Sequence, residues 1–598
     1  MNVSTRRASG VIAALAAGSL ALTGCSGGSS SNEGKAQTDA DAAAQAKAIA
    51  LGTASDSAGP ATAVKGARNG GTIRVYQRDS YNHLDPGQMY VSDMKALSQL
   101  IFRGLTAFKQ DDKGNATVVG DLATDAGQMS DSGKTWKYTL KDGIKFEDGK
   151  PITSKDIRHS IERLYAKFIT DGPTYVQTWL SGGGTTYRKA LPDGPYKGDH
   201  LPKSVLDTPD DKTVIFHFKK PQPQLPYALT MPGYSVVPDS AKDTKDAYDV
   251  KPVSSGPYKI AAFKSGKSMQ LVRNKNWDAK TDPVHHQYPD GFNFTFNHQA
   301  SDSTKRLMAD QGEAKNAVSF TNAVDPTLTK NVLDNASASK RMVQGYQPYV
   351  WQMNFNMDRL KDKRIRDAIT YALPNQQLVR LNGGSYGGEI AGGLLAPTVP
   401  GYKKGYDPYG KISHPNGEPE KAKKLLKEAG KTGMKLVYAF SNTESRQKEA
   451  VAIEDALTKA GFNVQKKEVD AASWYEQMGK VDNGFDIYMT GWGQDWPDAS
   501  TVIPPSYDGT TIQDGASNYS HVNDKHVNSE IARISQITDV KKATAEWQKL
   551  HQYIVEKVNP AAPAFYTKVL QLYGSNVGGV RYNLDVSYLD PNTLYLKK

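Results

Sequence analysis

The sequence predicts an α/β protein that is divided into at least two lobes. Residues 71–598 are far more than the about 250–300 residues that one hydrophobic core usually serves. The first part of this stretch shows mainly strands and turns, whereas residues 434–489 show strands that alternate with helices. These two patterns of secondary structure indicate separately folded parts within one chain.

A hairpin and a helix are the clearest elements of the first part. Apolar and polar residues alternate over residues 136–140, and Asp142 and Gly143 then turn the chain. Thr153 and Asp156 form a capping box, which predicts the start of a helix. Apolar residues follow at helical spacing, so one face of this helix is expected to pack on a core.

The second part predicts a parallel crossover. Residues 436–440 and 462–469 are typical of strands, and residues 443–460 between them are typical of a helix that begins at a capping threonine. A strand, a helix and a strand in this order form a right-handed parallel unit. Another buried strand is predicted at residues 485–490, so we expect these elements to share one sheet.

The first 24 residues have the layout of a secretory signal peptide. Arg6 and Arg7 supply positive charge, and residues 11–22 form an apolar run that is too short to span a bilayer. Residues 22–25 read Leu-Thr-Gly-Cys and resemble a bacterial lipobox, in which the cysteine is lipidated and becomes the mature N-terminus. Cys25 is the only cysteine of the chain, so we expect it to be the lipid acceptor. The choice between Sec and twin-arginine export stays open.

Residues 25–69 are predicted to be the lipidated cysteine and a disordered tether. They are rich in Ser, Gly, Ala and charged residues and contain no aromatic residue, so they have little apolar surface to bury. The tether would hold the protein on the outer face of the cytoplasmic membrane, which is the periplasmic side where an outer membrane exists.

The charge pattern argues against nucleic-acid binding. The formal net charge is +11, but the basic residues are scattered among acidic ones and do not form a stripe. We therefore expect a solvated surface with some attraction to anionic lipid.

A series of short motifs runs along the chain in an informative order. They are GGTIRV at 70–75, LDP at 84–86, WKYTLKDGIKF at 136–146, GPY at 256–258 and GWGQD at 491–495. Each is weak alone, but their order and spacing resemble bacterial extracellular solute-binding protein family 5, the peptide- and nickel-type binding proteins of ABC importers.

The resemblance implies a two-lobed, periplasmic-binding-protein-like fold of type II, in its large three-domain class, with a ligand cleft between the lobes. Domain I, the first lobe, would comprise residues 70–108, 251–345 and 564–598. Domain II, with the signature hairpin, would be inserted at 109–250, and domain III, the second lobe, would be 346–563. The resemblance also implies a monomer that delivers its ligand to the permease and ATPase subunits of an ABC importer.

Asp495 is the first candidate for a ligand-binding residue. It follows the predicted strand 485–490, and ligands of open α/β sheets bind beyond the carboxyl ends of strands. Burying a peptide's ammonium is costly unless a carboxylate with good geometry pairs with it. In the family that the chain resembles, the acid at this position plays that part in peptide binders. Asp498 is interpreted as a structural acid.

The other candidates are aromatic residues or backbone groups. Trp492 and Trp496 are predicted to pack against the ligand and shield the charge pair, and Tyr566 is a further candidate. Backbone groups at residues 90–92 (Tyr90, Val91 and Ser92) are predicted to pair with an extended peptide.

Two sequence features suggest functions other than peptide binding. Ser385 lies in a G-x-S-x-G sequence, but a nucleophile elbow needs a preceding strand and a following helix, and here a helical stretch precedes. His285 and His286 suggest nickel, although a surface pair in a polar loop is the favoured interpretation. No metal site and no cofactor are predicted. A nickel chelate, a sugar or another small polar solute stays open as the ligand.

Overall fold

A computed structural model describes residues 49–90, 92–184, 186–240, 243–244, 246–471 and 473–598. The predicted signal peptide, Cys25 and the first part of the predicted tether lie outside the described residues, as does Val91. Within the described ranges, every helix is too short or too polar to cross a lipid bilayer.

Domain I is built on a five-stranded mixed sheet. Its strands, in spatial order, are Ala317–Val318, Thr72–Tyr76, Gly291–Thr295, Ser268–Arg273 and Tyr258–Lys264. Its helices are Ser92–Ile101, Ala300–Ala309 and Thr329–Asp334, and short C-terminal strands are Val577–Gly578, Tyr582–Asn583, Tyr588–Leu589 and Tyr595–Leu596. The helix Ser92–Ile101 buries Leu97, Leu100 and Ile101 in the same core as the sheet.

Domain II contains the predicted hairpin and helix. A four-stranded antiparallel sheet has the order Gln128–Ser130, Thr135–Thr139, Thr213–His217 and Leu206–Asp207. A three-stranded sheet has the order Ala50–Leu51, Ala116–Gly120 and Thr106–Gln110, and the helices are Ser154–Arg163, Tyr175–Ser181, Leu225–Ala228 and Asp246–Val250. The capping box is confirmed, because the backbone N–H of Thr153 donates to the Asp156 carboxylate at 2.8 Å.

The predicted tether is wrong over residues 49–69, which belong to the folded body. The strand Ala50–Leu51 pairs in parallel with Ala116–Gly120, and the backbone N–H of Val64 donates to the Tyr288 hydroxyl at 3.0 Å. A segment without aromatic residues cannot form a core alone, but its backbone can add to a sheet edge that other residues have built. The folded body therefore includes residues 49–69, which the composition alone predicts to be disordered.

Domain III is built on a six-stranded mixed sheet. Its strands, in spatial order, are Gly388–Ile390, Ala561–Leu572, Met342–Phe355, Ile487–Gly493, Lys435–Ser441 and Asn463–Val469. Its helices are Lys363–Ala372, Asn375–Leu381, Pro419–Glu428, Glu444–Lys459, Trp474–Met478, Ile503–Tyr507, Lys525–Ile534 and Val540–Tyr553, the last continued by a π-helical turn at Ile554–Val558. The parallel crossover predicted from the sequence is confirmed, since Lys435–Ser441 and Asn463–Val469 pair in parallel around Glu444–Lys459.

Two long strands connect the lobes. Met342–Phe355 and Ala561–Leu572 pair with each other antiparallel, with an irregular register between Tyr346 and Val350. One end of this pair packs with domain I residues, through Leu570 and Leu572, and the other end contributes to the core of domain III. The limits of the three domains stay a prediction.

A buried ion pair joins domain I to domain II. The guanidinium of Arg163 donates two hydrogen bonds to the carboxylate of Asp85, at 2.7 and 2.8 Å, and a third to Asp243 at 2.8 Å. All three side chains are almost fully buried. This network explains why LDP at 84–86 and an arginine in the helix Ser154–Arg163 occur together.

Candidate ligand-binding cleft

The strand Ile487–Gly493 positions the candidate site, and its two glycines make room for aromatic rings. A Cβ at Gly491 would lie 2.8 Å from the ring of Trp351, and one at Gly493 would lie 2.5 Å from the ring of Tyr349. Tyr349 and Trp351 are the register partners of these glycines on the neighbouring strand. The strand is thus longer than predicted, because the GWG motif continues the ladder and the loop starts only after it.

A cavity of about 290 Å³ lies where this strand ends. Domain I supplies Tyr90, Ser92 and Lys95, and the C-terminal segment supplies Leu584, Asp585 and Ser587; domain III supplies Pro348, Tyr349, Tyr475, Tyr519 and residues 491–497. The structure therefore brings together five of the predicted residues, namely Tyr90, Ser92, Trp492, Asp495 and Trp496. Ligand cavities are expected between lobes, and this one is lined by both.

Two tyrosines from distant parts of the chain donate hydrogen bonds to Asp495. The hydroxyl of Tyr90 donates to its carboxylate at 3.1 Å, and the hydroxyl of Tyr175 in domain II donates to the same oxygen. Burial raises the pKa of Asp495 above its ordinary value, while the hydrogen bond from Tyr175 and the nearby charge of Lys95 act in the opposite direction. The carboxylate thus carries a desolvation cost that a cationic ligand would offset.

Lys95 and Asp585 form a charged pair at the wall of the cavity. The ammonium of Lys95 donates to the Asp585 carboxylate at 3.1 Å and to the backbone carbonyl of Asp495 at 3.2 Å. Neither residue was predicted from the sequence. Lys95 lies within a helix and Asp585 within a loop, and only the fold brings them to the cavity.

The two tryptophans have different environments. Trp496 is 1% exposed and packs within the core of domain II, where its ring lies 4.8 Å from that of Tyr175 and its Nε1 donates to Gln224 at 2.8 Å. Trp492 is half-buried, and its Nε1 donates to the carbonyl of Thr501 at 2.9 Å. Trp496 consequently joins domain III to domain II, while Trp492 offers more surface to the cavity.

Two further predictions concern residues near the site. Tyr566 is not brought to this cavity: it is 3% exposed, packs edge-to-face with Tyr402, and its hydroxyl accepts a hydrogen bond from Gly393 at 3.3 Å. Asp498 caps a short helical turn, where its carboxylate accepts from the Ser500 N–H at 2.8 Å, in keeping with its predicted structural role.

The sequence around Ser385 does not form a nucleophile elbow. The helix Asn375–Leu381 precedes it, Gly384–Tyr386 is a 3₁₀ turn, and the strand Gly388–Ile390 follows. This order is opposite to the strand, serine and helix that a hydrolase of that class needs.

The interpretation of His285 and His286 as a surface pair is wrong for His285. His285 is 4% exposed, and its Nδ1 lies 3.0 Å from the carboxylate of Asp282, three residues earlier in the chain. Asp121, Asp282 and His285 could together hold a cation, but the guanidinium of Arg103 lies 2.7 Å from Asp121 and 3.3 Å from Asp282. Arg103 therefore already supplies the positive charge of this cluster.

The fold and the cavity define a class of two-lobed solute-binding proteins. The family model for bacterial extracellular solute-binding proteins, family 5 (middle), matches residues 117–514. The chain therefore belongs to this family, whose members bind solutes and are not enzymes. Both the resemblance seen in the motifs and the predicted fold class are confirmed.

Relatives and solved structures agree with this assignment. The glutathione-binding protein GsiB of Salmonella typhi is 23% identical over 540 residues, covering 89% of this chain and 94% of the relative. The structure of clavulanic acid biosynthesis oligopeptide binding protein 2 is 25% identical, with a TM-score of 0.80, and covers 91% of this chain and 100% of that one. The ABC transporter-associated periplasmic binding protein DppA from Helicobacter pylori, in complex with the peptide STSA, is 19% identical, with a TM-score of 0.70, and covers 89% of this chain and 99% of that one.

Proposed function

We propose that this protein is an exported lipoprotein, anchored through Cys25, that captures short peptides in the cleft and delivers them to the permease and ATPase of an ABC importer. It would act as a monomer on the outer face of the cytoplasmic membrane. The names of its relatives support this proposal, since they include an oligopeptide-binding protein and a protein that binds glutathione, which is itself a tripeptide.

The observation that carries the proposal is the half-buried carboxylate of Asp495 in the wall of the cavity. An ionised carboxylate offers about four acceptor positions. Two are used by Tyr90 and Tyr175, so positions remain for a ligand's ammonium. Pairing with an ammonium would favour the ionised form that burial disfavours, and the free energy gained would select ligands with a free N-terminus.

Other solutes fit these features less well. A neutral sugar has no positive charge to offset the cost of ionising Asp495. A nickel chelate is commonly held by histidines, and none of the described residues that line the cavity is a histidine. Both alternatives remain outcomes of the experiment.

Thermal unfolding with a panel of ligands tests the proposal. We would use trialanine, trileucine, triglycine and glutathione, with maltose and a nickel–histidine complex as comparisons. A ligand that binds only the folded state raises the melting temperature, and the shift grows with the logarithm of its concentration. Such a shift with a peptide supports the proposal, whereas a shift with the sugar or the chelate alone contradicts it.

A further inference from the structure

Domain III gives the cavity at Asp495 an aromatic wall. Four side chains form this wall and stay partly exposed, namely Tyr349, Tyr475, Trp492 and Tyr519. They come from two strands, a short helix and a turn, so the fold gathers them from separate parts of the domain. Partly exposed rings that meet at one cavity are typical of a surface that a ligand covers.

Tyr475 is the most exposed residue of the aromatic wall. It is 57% exposed, whereas its neighbours Trp474 and Met478 in the same helix are buried in one core and hold the helix in place. Tyr475 lines the cavity at Asp495 and also a second cavity of about 390 Å³, which shares Tyr349 with the first. A ligand that covers this ring would remove a large apolar surface from water.

The charges on the opposite wall are matched within the protein. The ammonium of Lys95 donates to the carboxylate of Asp585 at 3.1 Å and to its backbone carbonyl at 3.3 Å. Its third hydrogen bond, of 3.2 Å, goes to the backbone carbonyl of Asp495, so all three N–H donors are used. The other carboxylate oxygen of Asp585 accepts from Gln99 at 2.9 Å. Among the described residues that line this cavity, Asp495 alone carries a charge without an ion-pair partner.

The polar atoms of the aromatic wall are partly used within the protein as well. The hydroxyl of Tyr349 donates to Ser92 at 3.0 Å. The indole Nε1 of Trp492 donates to the carbonyl of Thr501 at 2.9 Å. These two residues therefore offer the faces and edges of their rings to a ligand, and such surfaces suit another aromatic ring.

We propose that Tyr475 determines specificity, and that the cleft selects peptides with a large aromatic side chain at one of their first two positions. This inference rests on the proposed function and names the class of peptide. The ammonium of the peptide would pair with Asp495, and the aromatic side chain beside it would pack against Tyr475 and the rest of the aromatic wall. The gain comes from apolar surface removed from water and from ring–ring contacts.

A cationic side chain is the main alternative occupant, because cations also bind to the faces of aromatic rings. Lys95 disfavours this occupant, since its ammonium already places a positive charge in the wall. The ammonium of the peptide would also use the one unmatched negative charge, that of Asp495. Peptides that contain lysine are therefore a direct comparison in the test.

Calorimetric titration with two series of tripeptides tests the proposal. The series are X-Ala-Ala and Ala-X-Ala with a free N-terminus, where X is alanine, phenylalanine, leucine, lysine or glutamate. In at least one series the phenylalanine peptide should bind about 10- to 100-fold more tightly than trialanine, which corresponds to the burial of one such side chain. The lysine and glutamate peptides should bind no more tightly than trialanine.

Variants of Tyr475 connect the preference to this residue. Tyr475→Ala should reduce the ratio of the phenylalanine to the trialanine affinity by about 3- to 10-fold, because a ring–ring contact is lost. Tyr475→Phe keeps the ring and should keep the preference. Val451→Ala removes another exposed apolar side chain, outside both cavities, and should leave the ratio unchanged. Urea unfolding of all three variants checks that the fold is intact, and Tyr475→Ala should unfold like the wild type because the side chain is exposed.

The possible results are distinguishable. If tripeptides bind but phenylalanine gives no advantage in either series, or if the lysine peptides bind most tightly, the inferred preference is contradicted while the proposed function stands. An unchanged ratio in Tyr475→Ala contradicts the role of Tyr475. If no peptide of either series binds, the proposed function itself fails, and this inference fails with it. A preference for phenylalanine that Tyr475→Ala reduces and Tyr475→Phe retains supports the inference.

Discussion

The hydroxyl of Tyr90 donates a hydrogen bond of 3.1 Å to the carboxylate of Asp495, although the two residues are 405 positions apart in the chain. Tyr90 belongs to the first lobe and Asp495 to the second, so this bond crosses the cleft. Tyr175 of domain II donates to the same carboxylate. One acidic side chain is thus held from two other domains, and a ligand that meets it contacts the place where the domains meet.

The first prediction concerns pH. Burial raises the pKa of Asp495 above 3.8 in the ligand-free protein, and only the ionised form can pair with an ammonium. Peptide affinity should therefore increase as pH rises through that raised pKa and level off above it. Titrations between about pH 4 and pH 8 would show this, and Asp495→Asn should show no such dependence. The same pH profile in both proteins would contradict the assignment.

The raised pKa also has a consequence for stability. An acid whose pKa is higher in the folded state than in the unfolded chain contributes stability that is present below 3.8 and is lost as pH rises through its folded-state pKa. The free energy of unfolding of Asp495→Asn should lack this decrease. Urea unfolding of both proteins across the same pH range measures the difference.

The second prediction concerns Trp496, which joins the second lobe to domain II. Trp496→Ala should lower the free energy of unfolding by about 3–5 kcal/mol, because it leaves a cavity beside Tyr175 and removes the hydrogen bond to Gln224. Trp496→Phe keeps a ring and should cost less. Urea unfolding measures both, and a loss under 1 kcal/mol for Trp496→Ala would show that the contact is not important for stability.

The third prediction concerns the ion pair between domains I and II. Asp85→Ala should destabilise the protein by about 3–5 kcal/mol, because it leaves the buried guanidinium of Arg163 with only Asp243 as a carboxylate partner. Asp334→Ala removes the partner of the exposed Lys330 and is the matched control, with an expected cost of about 0–1 kcal/mol. Equal costs in the two variants would contradict the role assigned to Asp85.

The fourth prediction concerns the membrane anchor. If Cys25 is lipidated, Cys25→Ser should be exported but should lose its membrane attachment, because the acyl chains supply the affinity. Fractionation of cells after a salt wash measures this. A Cys25→Ser protein that stays fully with the membrane would contradict the lipoprotein assignment.

Local signals in the sequence predicted much of the secondary structure. The capping box of Thr153 and Asp156 and the parallel crossover at residues 435–469 depend on neighbouring residues and on the period of apolar positions, and both are confirmed. The extension of the strand to Gly493 was missed, because the space for the rings of Tyr349 and Trp351 is a property of the neighbouring strand.

The site was predicted only in part, for a related reason. Trp492 lies within the strand Ile487–Gly493, and Asp495 follows it closely. The GWGQD motif at 491–495 therefore indicated both residues. Tyr175 and Lys95 come from distant helices with no pattern that relates them to Asp495, and only the tertiary fold brings them within hydrogen-bonding distance. The buried position of His285 likewise depends on Arg103 and on the backbone turn after Asp282.

Calorimetric titration of the wild type and Asp495→Asn against one tripeptide, in its free and N-acetylated forms, tests the central claim most directly. The wild type should bind the free peptide, and acetylation should weaken binding because no ammonium remains to pair with the carboxylate. Asp495→Asn keeps the shape of the side chain but loses its charge, so it should weaken binding of the free peptide by about 2–5 kcal/mol. Equal affinity in all four combinations would contradict both the role of Asp495 and the assignment of a peptide as the ligand.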